Sequence, residues 1–255
     1  VAGRRGDDDA AASQRGPATA ACIDPAPAET LTAARGTSMG TAGPLRWVFA
    51  RLLAAHGRQR WWPAETRFEV MVGAILTQNT AWTNVEKALA RLAARTTLTP
   101  QALLSLPEVE LAGLLRPVGY FNVKAARLRA FCTALLAAGG EAALAAEATD
   151  ALRRRLLGIH GVGPETADDI LLYAFGRPVF VVDAYTRRLF GRLGVLGGGE
   201  DYEAIRARFE RTLGADAALF NEYHALIVRH AKDLCRARRP LCADCVLRSG
   251  CPSAD

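Results

Sequence analysis

The chain has 255 residues, half of them hydrophobic, and carries 32 Arg and Lys against 26 Asp and Glu for a formal charge of +6. That is enough apolar material for one large domain or two small ones. Every apolar stretch is broken by Arg, Asp or Glu well before the roughly 18 residues that a membrane span needs, which argues against a membrane-embedded function.

Residues 1–44 are rich in Ala, Gly, Pro, Ser and Thr, lack an apolar period and read as a disordered tail. Asp7, Asp8 and Asp9 near its start are unlike the basic opening of a secretory signal, so a cytoplasmic location is expected. The first methionine is Met39, and translation from there would leave part of this tail outside the natural protein. Four Arg against five acids give the tail −1 and the remainder +7, an excess that suits a polyanionic partner.

From Pro44 onward one helical signal follows another, and the predicted fold class is all-α. Helices are expected near 45–56, 83–94, 122–138, 149–157, 164–176, 184–193 and 201–213. Two more have explicit starts. Thr66 and Glu69 form a capping box ahead of Phe68, Met71, Val72, Ile75 and Leu76 on one face. Asp216 caps a helix whose apolar stripe is Leu219, Phe220, Tyr223, Leu226 and Ile227. The run Val179 to Val182 is too short and solitary for a sheet and is read as an extended linker.

Four segments carry candidate chemistry. Arg60-Trp61-Trp62-Pro63 precedes the first capped helix, and its paired tryptophans either staple that helix to the core or line a pocket. Ile159-His160-Gly161-Val162-Gly163-Pro164-Glu165-Thr166 joins two helices through a tight turn. Gly161 and Gly163 are expected to adopt angles that a side chain would forbid, and the exposed amides ahead of Thr166 can hold a phosphate. A plain packing joint would look the same. Asp183 follows four apolar residues and precedes a helix, where it can act as the cap.

The fourth segment is Cys235, Cys242, Cys245 and Cys251, crowded into the last 21 residues with spacing C-x6-C-x2-C-x5-C. In an intracellular chain this points to metal rather than disulfides. Four thiolates from one loop can ligate an iron–sulfur cubane, whereas a four-cysteine zinc site usually has two separated C-x2-C knuckles and only one is present. Arg236, Arg238 and Arg239 in the first interval would form a cationic loop fit for backbone phosphate, or simply a solvated one. Cys22 and Cys132 look incidental.

The hairpin, Asp183 eighteen residues after Glu165, and the cysteine spacing together resemble the endonuclease III family of helix-hairpin-helix DNA glycosylases. Gly119-Tyr120-Phe121-Asn122-Val123-Lys124-Ala125 is similar to that family's G-x-x-N-x-K-A segment. The resemblance implies two helical lobes flanking a DNA-binding cleft: 61–177 with the hairpin, and 45–60 plus 178–255 with a [4Fe-4S] cluster held by the four cysteines. It also implies a monomer acting on double-stranded DNA that contains a damaged base, with Asp183 working at the sugar C1′ of a flipped nucleotide.

Bifunctional members place a lysine nucleophile at the hairpin. Here that position is Glu165, and the chain has only Lys87, Lys124 and Lys232, so hydrolysis without efficient strand cleavage is expected. Glu165 is read as catalytic support or as an exposed helix residue. Trp61-Trp62-Pro63 followed by Leu76-Thr77-Gln78-Asn79-Thr80 resembles the bacterial 3-methyladenine glycosylase branch, which implies a pocket for a cationic alkylated purine. Gln78 and Asn79 match the region supplying the wedge that fills the flipped-out gap, unless Asn79 merely ends its helix. Members of that branch need not carry the cysteine cluster. The alternatives are an endonuclease III-type enzyme on oxidised pyrimidines with weak lyase activity, or a damage-binding iron–sulfur protein with little catalysis.

Overall fold

The computed structural model describes residues 43–254; the expected tail, except for its last two residues, and Cys22 lie outside them. Among the described residues the regular structure is helical: α1 (Gly43–His56), α2 (Arg67–Leu76), α3 (Trp82–Arg95), α4 (Pro100–Ser105), α5 (Glu108–Leu114), α6 (Phe121–Ala137), α7 (Glu141–Ala146), α8 (Thr149–Leu157), α9 (Pro164–Asp169), α10 (Ala184–Arg192), α11 (Tyr202–Leu213) and α12 (Ala217–Asp233). None is long and apolar enough to cross a membrane.

The starts follow local chemistry. Thr66, Asp183, Asp201 and Asp216 each accept a hydrogen bond from the amide three residues on, satisfying a donor that the first helical turn leaves free. The box at Thr66 is only half formed as expected, because the Glu69 carboxylate takes the Glu65 amide at 2.8 Å instead of reaching Thr66. Three short helices, α4, α5 and α7, are additions to the expected set. They run six or seven residues, too few for a periodic stripe to emerge.

Two hydrophobic cores result. One is built by α2 to α9 with Val179; the other joins α1 to α10, α11, α12 and Phe180–Val182. Helix α1 is tied into the second by Tyr223, whose buried hydroxyl donates to Leu45 O at 2.6 Å. The cores meet at residues 170–174, where α9 continues as a wider turn of π-helix. Leu171 enters the first core and Leu172 the second, and Tyr173 packs against both. Such widened turns recur at functional sites because they rotate side chains off the regular helical face. The run Val179–Val182 is extended and unpaired, as expected; the Phe180 amide donates to the Glu210 carboxylate at 3.0 Å.

Candidate active site and cysteine loop

Turn 158–163 links α8 to α9. Gly161 has φ +87°, and a Cβ there would lie 2.3 Å from Cγ of Arg127, so both angle and space demand glycine. Gly163 corrects the expectation: its φ of −93° and ψ of 179° form extended backbone open to any residue, and a Cβ there would meet no neighbour within 4 Å. Pro164 takes the first helical position and no side chain caps α9, leaving amide donors at the turn without a side-chain partner. Val162 is buried and anchors the turn in the first core.

Gln78 and Asn79 part company. Gln78 Nε2 donates to Gly161 O at 3.0 Å and to Thr166 Oγ1 at 2.9 Å, and its Oε1 accepts from Arg127. Its amide is thus a strut between the end of α2, α6 and the hairpin, and Thr166 is buried behind it. Asn79 is exposed with φ +53°, which leaves its side chain free. Lys124 is buried, its ammonium donating to Leu76 O at 2.9 Å and Val118 O at 2.8 Å, and burial followed by Arg127 lowers its pKa to about 8. It holds the loop after α2 beside the loop before α6, where Tyr120 stands 76 % exposed with φ +44°. The sequence marks that segment through its lysine, and no local signal singles out Tyr120 or Arg127 as site residues.

Asp183 is buried and caps α10 through Oδ1, 2.7 Å from the Thr186 amide. Its Oδ2 lies 3.4 Å from His224 Nε2 on α12, an ion-pair contact rather than a full hydrogen bond. His224 Nδ1 lies 2.6 Å from the Tyr173 hydroxyl. Burial pushes the Asp183 carboxyl up, but His224 and the Thr186 amide outweigh it and hold it below the usual range. Burial pushes His224 down, and the opposing charge of Asp183 carries it above the usual imidazole value. Glu165 is exposed at the rim, yet desolvation by the surrounding walls, then Asp183, raises its carboxyl. One turn on, Asp169 is raised well above the usual range by burial, only partly relieved by His224, and its Oδ1 has no hydrogen-bond partner among the described residues. Sequence reasoning misses His224, Tyr173 and Asp169. His224 is 41 positions from Asp183, and only the packing of α12 brings it near.

Aromatic rings wall the same region. Trp62 lies 5.1 Å from Tyr173 and 5.0 Å from Trp82, centroid to centroid, and Trp61 is 5.5 Å from both Trp62 and Trp82. Gly73 admits Trp62 over α2; a Cβ there would sit 3.1 Å from the indole. Trp62 packs on the first core and approaches Tyr173, the contact expected of a staple. Pro63 faces away, into a groove shared with Trp82 and Glu86.

The four C-terminal cysteines line one cavity together with Leu189, Leu193, Leu234 and Leu247. Arg192 donates to Cys235 Sγ at 3.3 Å, and His230 Nε2 stands 3.4 Å from Cys245 Sγ. Among the described residues no three His, Cys, Asp or Glu side chains converge to hold a single metal ion. Four thiols line one apolar cavity, with the Arg192 guanidinium beside Cys235 and a His230 ring nitrogen beside Cys245, and their chemistry is that of ligands to an iron–sulfur cluster or a metal ion. Arg236, Arg238 and Arg239 are exposed, with Arg236 folded back to donate to Asp233 O at 3.0 Å.

Comparison with known proteins bears on the family and the fold. Residues 72–214 match the model of the HhH-GPD superfamily base excision DNA repair protein. A DNA repair glycosylase assigned in Methanocaldococcus jannaschii is 47% identical over 209 residues, 81% of this chain and 94% of the relative. Endonuclease III of Treponema pallidum is 32% identical over 209 residues, 80% and 92% of the two chains. Among solved structures, a non-covalent endonuclease III–DNA complex shares the fold, with TM-score 0.72 at 22% identity over 82% of this chain and 94% of that one. The 3-methyladenine DNA glycosylase of H. pylori bound to 1,N6-ethenoadenine has TM-score 0.62 at 30% identity over 74% and 94%. On the family match and the near-complete alignment with its relatives, this chain belongs to the HhH-GPD superfamily of base excision DNA repair proteins.

Proposed function

We propose that this DNA glycosylase is monofunctional and removes alkylated purines from duplex DNA, acting as a monomer through a cleft between lobe 61–177 and lobe 45–60 plus 178–255. The observation that carries this reading is the lack of an amine near a buried carboxylate, Asp183, that has an aromatic cluster beside its His224 and Tyr173 neighbours. Glu165 stands where a lysine nucleophile would be needed, Lys124 is buried on two carbonyls, and Lys87 and Lys232 are exposed on α3 and α12. The 30% identity to a glycosylase solved with an alkylated adenine analogue supports the lesion class.

In this reading Gly161, Val162, Gly163 and Thr166 set the hairpin amides against backbone phosphate. Asn79 enters the gap left by the flipped nucleotide, with Gln78 bracing the loop behind it. The base sits against Trp62, with Trp61 behind it, while Pro63 turns the chain away from the base. A cationic purine gains from the ring faces and from the nearby carboxyls. Asp183, kept ionised, stabilises positive charge at C1′ as the N-glycosidic bond breaks, and the purine leaves with the bonding electron pair. Water adds its oxygen to C1′ and passes a proton to the Asp183 carboxylate. Glu165 at the rim adds negative field but no nucleophile.

Cys235, Cys242, Cys245 and Cys251 would hold a [4Fe-4S] cluster. When bound, it supplies a rigid, redox-capable centre. The loop bearing Arg236, Arg238 and Arg239 would then meet DNA backbone as a fixed cationic surface.

The test is incubation with duplexes containing 3-methyladenine, thymine glycol or an abasic site, with and without hot alkali. Cuts on alkylated DNA that need alkali, and fall by at least about 100-fold in Asp183→Asn, support the reading. Alkali-independent cuts at thymine glycol would replace it with an oxidised-pyrimidine enzyme having lyase activity. Tight damage binding that Asp183→Asn leaves unchanged, with no base release from either variant, would make the chain a binding protein.

A further inference from the structure

We propose that His224 is a positioning residue for Asp183, and that Tyr173 sets the imidazole so that an Nε2 proton always faces the carboxylate. This rests on the reading of Asp183 as the working acid. The geometry is a line of three side chains from three elements: the Tyr173 hydroxyl 2.6 Å from Nδ1, and Nε2 3.4 Å from Asp183 Oδ2. Asp183 Oδ1 is already occupied by the Thr186 amide. Oδ1 is thus hydrogen-bonded to the cap and Oδ2 faces the ring nitrogen at ion-pair distance, so contacts from two separate elements limit the pivoting that the cap alone would allow.

Tyr173 makes the arrangement independent of charge. A neutral imidazole carries one ring proton. The Asp183 carboxylate can only accept, so that proton is drawn to Nε2, and Nδ1 is left to accept from the tyrosine O–H. A protonated ring donates from Nδ1 to the tyrosine oxygen and still presents Nε2–H. Tyr173 is itself held between the two cores and against Trp62, so the aromatic cluster orients the group that orients the acid. A tyrosine buried only for packing would need some hydroxyl partner, but not one that fixes a ring facing Asp183.

Among the described residues, four ionisable side chains face His224. They are Asp183 ahead of α10, Glu165 and Asp169 on α9, and Tyr173 on the widened turn. Three carboxyls near one imidazole hold it towards the cationic form, and that cation favours ionised Asp183 in turn. Removing the ring should therefore raise the pH at which Asp183 becomes protonated.

The test uses full-length, cluster-loaded protein and follows the Asp183 carboxyl carbon by NMR titration, beside the pH profile of base release. His224→Phe keeps ring volume but loses both nitrogens. Its Asp183 titration is expected to move up by about one pH unit or more, with the acid limb of base release moving equally and affinity for damaged duplex unchanged. His224→Gln, whose amide can reach the Nε2 position, should restore most of both. Tyr173→Phe should produce a smaller shift of the same sign, and it tests the line if His224→Phe does not fold. An Asp183 titration unmoved in both His224→Phe and Tyr173→Phe overturns the proposal. If the titration moves while Asp183→Asn still releases base at full rate, the positioning stands and the role of Asp183 falls.

Discussion

Arg153 on α8 grips the fully buried Asp168 on α9 with two hydrogen bonds, 2.6 and 3.1 Å long, and its other terminal contact is Glu203 on α11 at 2.6 Å. Asp168 also has Arg206 of α11 4.0 Å away. The hairpin helices are thus pinned to a helix of the second core. Removing one partner of a buried pair strands the other charge, at a cost of about 3 kcal/mol. Asp168→Ala is expected to lose about that much in urea denaturation, and more than Glu203→Ala, whose carboxylate is half-exposed. Equal losses would mean that the buried pair is not what joins the cores.

The two hairpin glycines should behave differently. Gly161→Ala combines φ +87° with a clash against Arg127 and should cost about 1–3 kcal/mol of stability. It should also weaken binding to undamaged duplex, read by fluorescence anisotropy, because Arg127 also holds Gln78. Gly163→Ala meets open space at φ −93° and should leave stability within about 0.5 kcal/mol of the parent. A Gly163→Ala chain that unfolds as readily as Gly161→Ala would contradict this difference in backbone geometry.

Asp169 and Asp183 should tilt stability against pH in opposite directions. The Asp183 pKa is lowered on folding, so its contribution is present above its unfolded pKa near 3.9 and is lost as pH falls through the folded value. The Asp169 pKa is raised, so its contribution is complete below about 3.9 and fades as pH rises towards the folded value. Asp169→Asn should therefore gain stability relative to the parent at pH 8 compared with pH 4. Denaturant midpoints at the two pH values check this, and an unchanged difference between variant and parent would refute it.

Anaerobic purification followed by metal and sulfide analysis should yield about four iron and four sulfide per chain. Cys245→Ser should lose most of both and expose the loop 235–251 to protease. About one zinc per chain, without sulfide, would identify the cavity as a distorted structural zinc site instead.

Much of this was legible along the chain because it is local. The caps at Thr66, Asp183 and Asp216, the apolar faces of α2 and α12, and the cysteine spacing depend on residues a few positions apart. Their physics is that of a single turn or loop. The short helices α4, α5 and α7 were not legible, since six or seven residues gain their stability from burial rather than pattern.

Only the tertiary structure decided which candidates meet. Gln78 and Asn79 are adjacent and polar, yet one is consumed by Arg127, Gly161 and Thr166 while the other is free. Nothing short-range separates them. His224 reads as one more residue of an amphipathic helix until α12 packs across α10, and Tyr173 points to it only because α9 widens between two cores. A buried imidazole beside a carboxylate is an electrostatic fact about distance in space. Spacing along the chain marked the cap at Asp183 and grouped the cysteines; the packing of the two cores decided what faces them.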